Sequence, residues 1–195
     1  MKRLIAITVP YFFPQEGDIL STLFEEGLEC LHIRKPQSCP EEIKKLLDTI
    51  PYIYHSRIKL HDCFELVNEY PVGGIHLNSR NNSISTSFKG SLSRSCHSLQ
   101  EVENCNKYDY VFLSPIFRSI SKEGYGGGFS IKQLEEASAK GIINEKVIAL
   151  GGMDKKSIPL IKHLNFGGIA VLGALWGKEP EKKDLVIKQY KELQV

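Results

Sequence analysis

Four histidines stand in short polar runs spread along the first half of the chain. His32 lies in Leu31-His32-Ile33-Arg34-Lys35, His61 precedes Asp62, His76 lies in Ile75-His76-Leu77-Asn78, and His97 follows Ser95 and Cys96. Imidazoles titrate near neutrality and serve as acid–base groups, although any one of them alone is more often a hydrogen-bonded rim or core residue. No HxxxH pair, no Cys/His metal spacing and no Ser-His-Asp set follows from their order. Arg34 and Lys35 would give a cationic point suited to phosphate, or a solvated pair. Asp62 can be read as a Mg²⁺ ligand or as the N-cap of a helix beginning at Cys63. The stretch from Asp109 to Phe129 carries Ser119, Ser121 and Lys122 among glycines. Hydroxyls, one cation and backbone amides bind oxygen-rich anions, and the alternative is a solvated loop. Gly151-Gly152 and Gly173 would let backbone N–H groups approach a phosphate, the alternative being two ordinary tight turns.

These residues must be held by the elements before them, and those elements alternate. Arg3–Val9 reads as a β-branched strand and 19–26 as a helix stopped by Gly27; Leu28–Arg34 is a strand and Glu41–Ile50 a helix with Pro40 in its first turn. Arg57–Leu60 is a strand, Cys63–Tyr70 a helix and Ile75–Leu77 a strand, while the serine-rich 78–89 leaves the fourth helix short or missing. Gly90–Ser95 is a fifth strand, with Leu99–Asn104 as its helix. Asp109–Ser114 is the sixth strand, followed after the long loop by a helix at Ile131–Lys140. Lys146–Leu150, a helix at Lys155–His163, Gly168–Leu172 and a last helix near Glu181–Leu193 complete the series. Strand then helix about eight times, with nearly continuous apolar strands, specifies an α/β protein with a parallel sheet.

Eight such units predict a closed (βα)8 TIM barrel in a single domain, residues 1–195, near the small end of that fold's range. A doubly wound open sheet is the second reading. The loop glycines do not support it, because Gly124, Gly126, Gly127 and Gly128 fail the GxGxxG spacing and follow the sixth strand. In a barrel, the C-terminal strand ends build the site. That places Thr8, His32, Arg34, Lys35, His61, Asp62, His76, Asn78, Ser95, His97, Ser114, Gly151, Gly152 and Gly173 on one rim, with Asp62 its one strand-end carboxylate.

A hydrophobic content of 42% and a charged content of 25% are ordinary for a globular protein, and a net charge of +2 is too small to argue for nucleic acid. No apolar run approaches a membrane span, and the apolar start, Leu4–Val9, is too short for a signal peptide. The five scattered cysteines fit a reduced, cytoplasmic setting as buried filler. Oligomeric state is open, a homo-oligomer included.

In order along almost the whole chain, seven segments resemble the family of thiamine-phosphate synthase and its thiazole-tautomerase relatives. Leu31–Lys35 stands for the family's QLRxK, Leu60-His61-Asp62 for its N-D, and Gly74–Leu77 for GVHLG. Ser95–Ser98 stands for SxHS, Asp109–Lys122 for DYVxxGPxFxTxTK, and Ile148–Met153 with Gly168–Gly173 for the phosphate-binding strands. The resemblance implies a TIM barrel that joins a pyrimidine-methyl diphosphate to a phosphorylated thiazole, releasing pyrophosphate with Mg²⁺ help. It implies Ser119 and Ser121 at the thiazole phosphate, with backbone amides from Gly152, Leu172 and Gly173. It implies Arg34, Ser95 and Lys122 at the diphosphate, His32 and His61 at substrate, and Asp62 on Mg²⁺, with the loop after strand six as a lid. The chain departs from the motifs at four points. His32 replaces the glutamine, His61 the asparagine, Pro36 the lysine, and Asn81 the second magnesium aspartate. Pro115 stands where the tautomerase branch carries its base, so a tautomerase or a non-catalytic thiazole-phosphate binder is the alternative to the synthase.

Overall fold

The computed structural model describes residues 3–84, 88–117 and 128–194. Eight parallel strands close into a barrel in sequence order, β1 pairing with β8. They are β1 (Arg3–Ile7), β2 (Cys30–Ile33), β3 (Ile58–Leu60), β4 (Gly74–Leu77), β5 (Ser91–Cys96), β6 (Tyr110–Leu113), β7 (Val147–Leu150) and β8 (Gly168–Val171). The helices are α1 (Glu16–Glu25), α2 (Pro40–Asp48), α3 (Leu99–Glu103), α4 (Ile131–Ala139), α5 (Ile158–Ile161), α6 (Gly173–Trp176) and α7 (Lys183–Leu193). The open doubly wound sheet is thereby excluded.

Local chemistry accounts for most boundaries. Pro40 opens α2, where its missing N–H costs nothing. Gly27, at φ 99°, takes the left-handed position just past α1. Ser130 and Gln133 form a reciprocal cap on α4. Two expectations are corrected, and one segment is new. The third helix is only a 3₁₀ turn, Phe64–Asn68, with Cys63 at φ 54° before it. A further 3₁₀ segment, Tyr52–Arg57, precedes β3. The helix expected at Lys155–His163 contracts to α5, because the Asp154 carboxylate accepts from the amides of Lys156 and Ser157 in a turn and Pro159 then lacks a donor.

The main apolar core lies between barrel and helices, and includes Leu20, Leu23, Leu31, Leu47, Leu113, Leu134, Val147 and Trp176. Trp176 also donates from Nε1 to the Ile7 carbonyl at 2.7 Å, tying α6 to β1. Inside the barrel a second cluster forms from Ile5, Ile7, Tyr110, Phe112, Ile148 and Ala170. That lining is apolar on β1 and β6–β8. On β2–β5 it is polar, with His32, His76 and Ser93 fully buried. None of the described helices is long and apolar enough to cross a membrane.

Candidate active site

Strand side chains alternate between two faces, so one register selects the residues that point inward. Cross-strand pairing aligns Ile7 with His32, His32 with Lys59, His76 with Ser93, and Ser93 with Tyr110. Two residues onward along each chain, the same parity reaches Arg34, His61, Asn78, Ser95, Gly152 and Leu172 at the C-terminal rim. The period of two therefore stacks a buried polar layer beneath the residues expected to touch substrate.

The buried layer is continuous. His32 Nδ1 lies 2.8 Å from His61 Nε2, and His32 Nε2 lies 2.6 Å from the Tyr110 hydroxyl. His76 Nδ1 meets Ser93 Oγ at 2.8 Å and His76 Nε2 meets Ser95 Oγ at 2.9 Å. Burial holds all three imidazoles well below the usual histidine range, His76 down to about 3, with neighbouring charges adding to the effect. They are neutral at physiological pH. Their ligand atoms all lie within 4.8 Å of one another. A shared metal ion is nonetheless disfavoured: the His61 and His76 rings are stacked at 4.2 Å and 21°, so one ion cannot lie in both ring planes.

At the rim, Thr8 accepts the Arg34 amide at 2.9 Å and fixes the end of β2. Burial and nearby Arg80 lower the Arg34 pKa, and Asp62 opposes them. Asp62 Oδ1 accepts from Asn81 Nδ2 at 2.8 Å and Arg80 at 3.3 Å, while its Oδ2 is buried without a partner among the described residues. Its expected N-cap role is not found, since the following turn starts at Phe64 and has no side-chain cap. Asn81 braces Asp62 and also donates to the His61 carbonyl at 3.1 Å. Asp62 Oδ2 is an open hard-oxygen donor of the kind Mg²⁺ takes, and Asn81 adds no second carboxylate.

Lys35 is the clearest correction. Instead of joining Arg34 on the rim, it is fully buried and bonds both Glu16 oxygens, at 2.6 and 2.8 Å, together with the Tyr11 carbonyl. His97 is exposed and lies 3.0 Å from the Ser114 carbonyl, apart from the buried histidines. Gly151 and Gly152 take φ of 93° and 65°, left-handed values that favour glycine. Gly173 opens α6, and a Cβ there would meet nothing within 4 Å among the described residues. Ser119, Ser121 and Lys122 lie outside the described residues. The cysteines are only partly filler: Cys96 and Cys105 are buried, but Cys39 is exposed and caps α2. Sequence reasoning missed Tyr110 and Ser93. The signal available was parity, since each stands two residues before an inward-facing neighbour.

Fold and site together define a (βα)8 barrel with a polar mouth at its C-terminal end. Residues 4–175 match the family model described as thiamine monophosphate synthase, and the chain belongs to this family. Among its relatives, the thiamine-phosphate synthase of Limosilactobacillus reuteri is 25% identical over 158 residues, 75% of this chain and 70% of that one. That of Listeria welshimeri is 26% identical over 207 residues, 90% and 93% of the two chains. A crystal structure of thiamine phosphate pyrophosphorylase from Bacteroides thetaiotaomicron superposes with a TM-score of 0.86 at 41% identity, covering 98% of this chain and 95% of that one.

Proposed function

We propose that this protein is a thiamine-phosphate synthase, coupling a pyrimidine-methyl diphosphate to a thiazole phosphate with release of pyrophosphate. The observation that carries the reading is the family match across the barrel, with Arg34, Asp62 and Ser95 at the C-terminal ends of β2, β3 and β5. Departure of diphosphate needs positive charge and donors on the leaving oxygens, and two rings held in line. Arg34 and Ser95 are assigned to the diphosphate. Gly152, Leu172 and Gly173 are assigned to the thiazole phosphate through backbone amides. Ser119, Ser121 and Lys122 keep the roles that the family motif implies.

Asp62, through its bare Oδ2, would hold Mg²⁺, and that ion supplies positive charge to the departing diphosphate. The substrates are small phosphorylated molecules, and a cytoplasmic setting suits them. Pro115 has no side chain able to accept a proton where tautomerase relatives carry a base, which favours synthase over tautomerase. Incubation with both substrates and Mg²⁺ is expected to yield thiamine phosphate and pyrophosphate in equal amounts. A protein that binds both and forms no product contradicts the assignment.

A further inference from the structure

The turn that follows β4 carries a cation at the mouth, Arg80. Asn78 Oδ1 accepts from the backbone amides of Arg80 at 3.0 Å and Asn81 at 3.2 Å, and the Asn78 backbone amide donates to the Asn81 carbonyl at 2.9 Å. Such side-chain bonds to the following amides close a compact turn. The side-chain amides of Asn78 and Asn81 both donate to the His61 carbonyl, at 3.0 and 3.1 Å, and pin the turn to the end of β3. The Arg80 backbone is therefore fixed beside Asp62. Its guanidinium is held less firmly: the side chain is 45% exposed, and its one hydrogen bond among the described residues runs to Asp62 Oδ1 at 3.3 Å. A single long contact from a half-exposed side chain contributes little and is readily given up.

The charges around this contact favour an anion. Burial lowers the Arg34 pKa, Arg80 lowers it further and Asp62 raises it, so two guanidiniums stand against one carboxylate. A metal ion approaching Asp62 would find Oδ1 shared between Asn81 and Arg80, and would stand close to the Arg80 charge. A diphosphate instead offers that guanidinium several charged oxygens, which a planar fork of donors binds two at a time.

We propose that Arg80 is a diphosphate-binding residue held in waiting on Asp62: the arriving diphosphate draws the guanidinium away, and Asp62 is released to Mg²⁺. This rests on the synthase reading and adds a residue outside the segments that carry the family resemblance. Asp62 then serves two cations in turn. In the free protein Arg80 occupies it and keeps a metal ion off; in the complex Arg80 lies on the diphosphate and Mg²⁺ takes the vacated carboxylate. Metal ion and anion therefore favour each other's binding, because the same side chain must leave one and meet the other.

Arg80→Gln removes the charge and leaves the backbone bonds of the turn in place. Calorimetry with Mn²⁺ alone should show it bound about tenfold more tightly than by the wild type, the scale of losing a like charge beside the site. Inorganic pyrophosphate, titrated with a chelator present, should bind about tenfold more weakly, the scale of one charge-assisted hydrogen bond. Affinity for thiazole phosphate and the melting temperature should hold. Arg80→Lys keeps the charge, and should restore the wild-type Mn²⁺ affinity and most of the pyrophosphate affinity. Unchanged Mn²⁺ binding by Arg80→Gln overturns the exchange at Asp62, and unchanged pyrophosphate binding overturns the diphosphate role. A lysine variant as impaired as the glutamine one also overturns it, marking Arg80 as a prop for its turn. Wild-type product formation, measured in parallel, separates the two readings. Absence of thiamine phosphate removes the synthase assignment, whereas an active enzyme whose pyrophosphate affinity ignores Arg80→Gln removes the role of Arg80 alone.

Discussion

Gly173 and Asp62 pose their questions at the scale of single atoms. Gly173 begins α6, and no described residue stands within 4 Å of where a side chain would grow, so Gly173→Asp should leave the apo fold intact. Its carboxylate would stand at the assigned phosphate site, and like charges in contact cost several kcal/mol. Affinity for thiazole phosphate, measured by calorimetry, should fall about a hundredfold or more while the melting temperature holds. Asp62 keeps one oxygen bonded to Asn81 and Arg80 and one without a partner among the described residues. Asp62→Asn removes the charge a cation would meet and retains the shape. The Mg²⁺ concentration giving half-maximal rate should rise about tenfold or more, and an unchanged Mg²⁺ dependence would place the ion elsewhere.

At the scale of elements, the connection from β1 to α1 is set by a buried ion pair. Lys35, two residues past β2, reaches Glu16 at the start of α1 and the carbonyl of Tyr11 between them. Burial pushes Glu16 up and Lys35 down in pKa, and each partner offsets the shift of the other. Such a pair is weak evidence of net stability, but removing one partner strands the other charge. Lys35→Met should cost about 3–5 kcal/mol in denaturant unfolding. Adding Glu16→Leu should recover most of it, and a double variant no better than the single would show that the pair acts through geometry alone. The sequence shows Lys35 beside Arg34 and suggests one cationic patch. Just past the end of β2 the two side chains part: Lys35 turns to Glu16 and the Tyr11 carbonyl, under the β1–α1 connection, while Arg34 stays beside Asp62 and Arg80.

Across the whole barrel, three neutral imidazoles share one buried layer, and this makes stability depend on pH. In the unfolded chain each histidine titrates near the ordinary value, about 6.5; in the folded barrel each is held well below it, His76 at about 3. Their contribution is complete above the unfolded pKa. It is lost as pH falls from there toward the folded values, because only the unfolded state takes up protons. Three such groups give a slope of up to about 4 kcal/mol per pH unit. The melting temperature should drop steeply from pH 7 to pH 5, and a flat profile over that interval would show that the histidines charge without unfolding the barrel.

Strand order, strand count and barrel class were legible in the sequence, because buried parallel strands and amphipathic helices carry local periodicities that need no partner to be seen. The rim followed from them, since a barrel's site lies at its C-terminal strand ends, and Arg34, His61, Asp62, Ser95, Gly152 and Gly173 stand at those ends. The family likewise followed from ordered motifs. Tertiary structure alone decided which of those groups share atoms. The burial of Lys35 by Glu16, the bracing of Asp62 by Asn81, and the chain from Tyr110 through His32 to His61 join residues separated by 19 to 78 positions. Closure of the barrel brings such residues within hydrogen-bonding distance, and hydrogen bonds depend on distance and direction that no local pattern encodes.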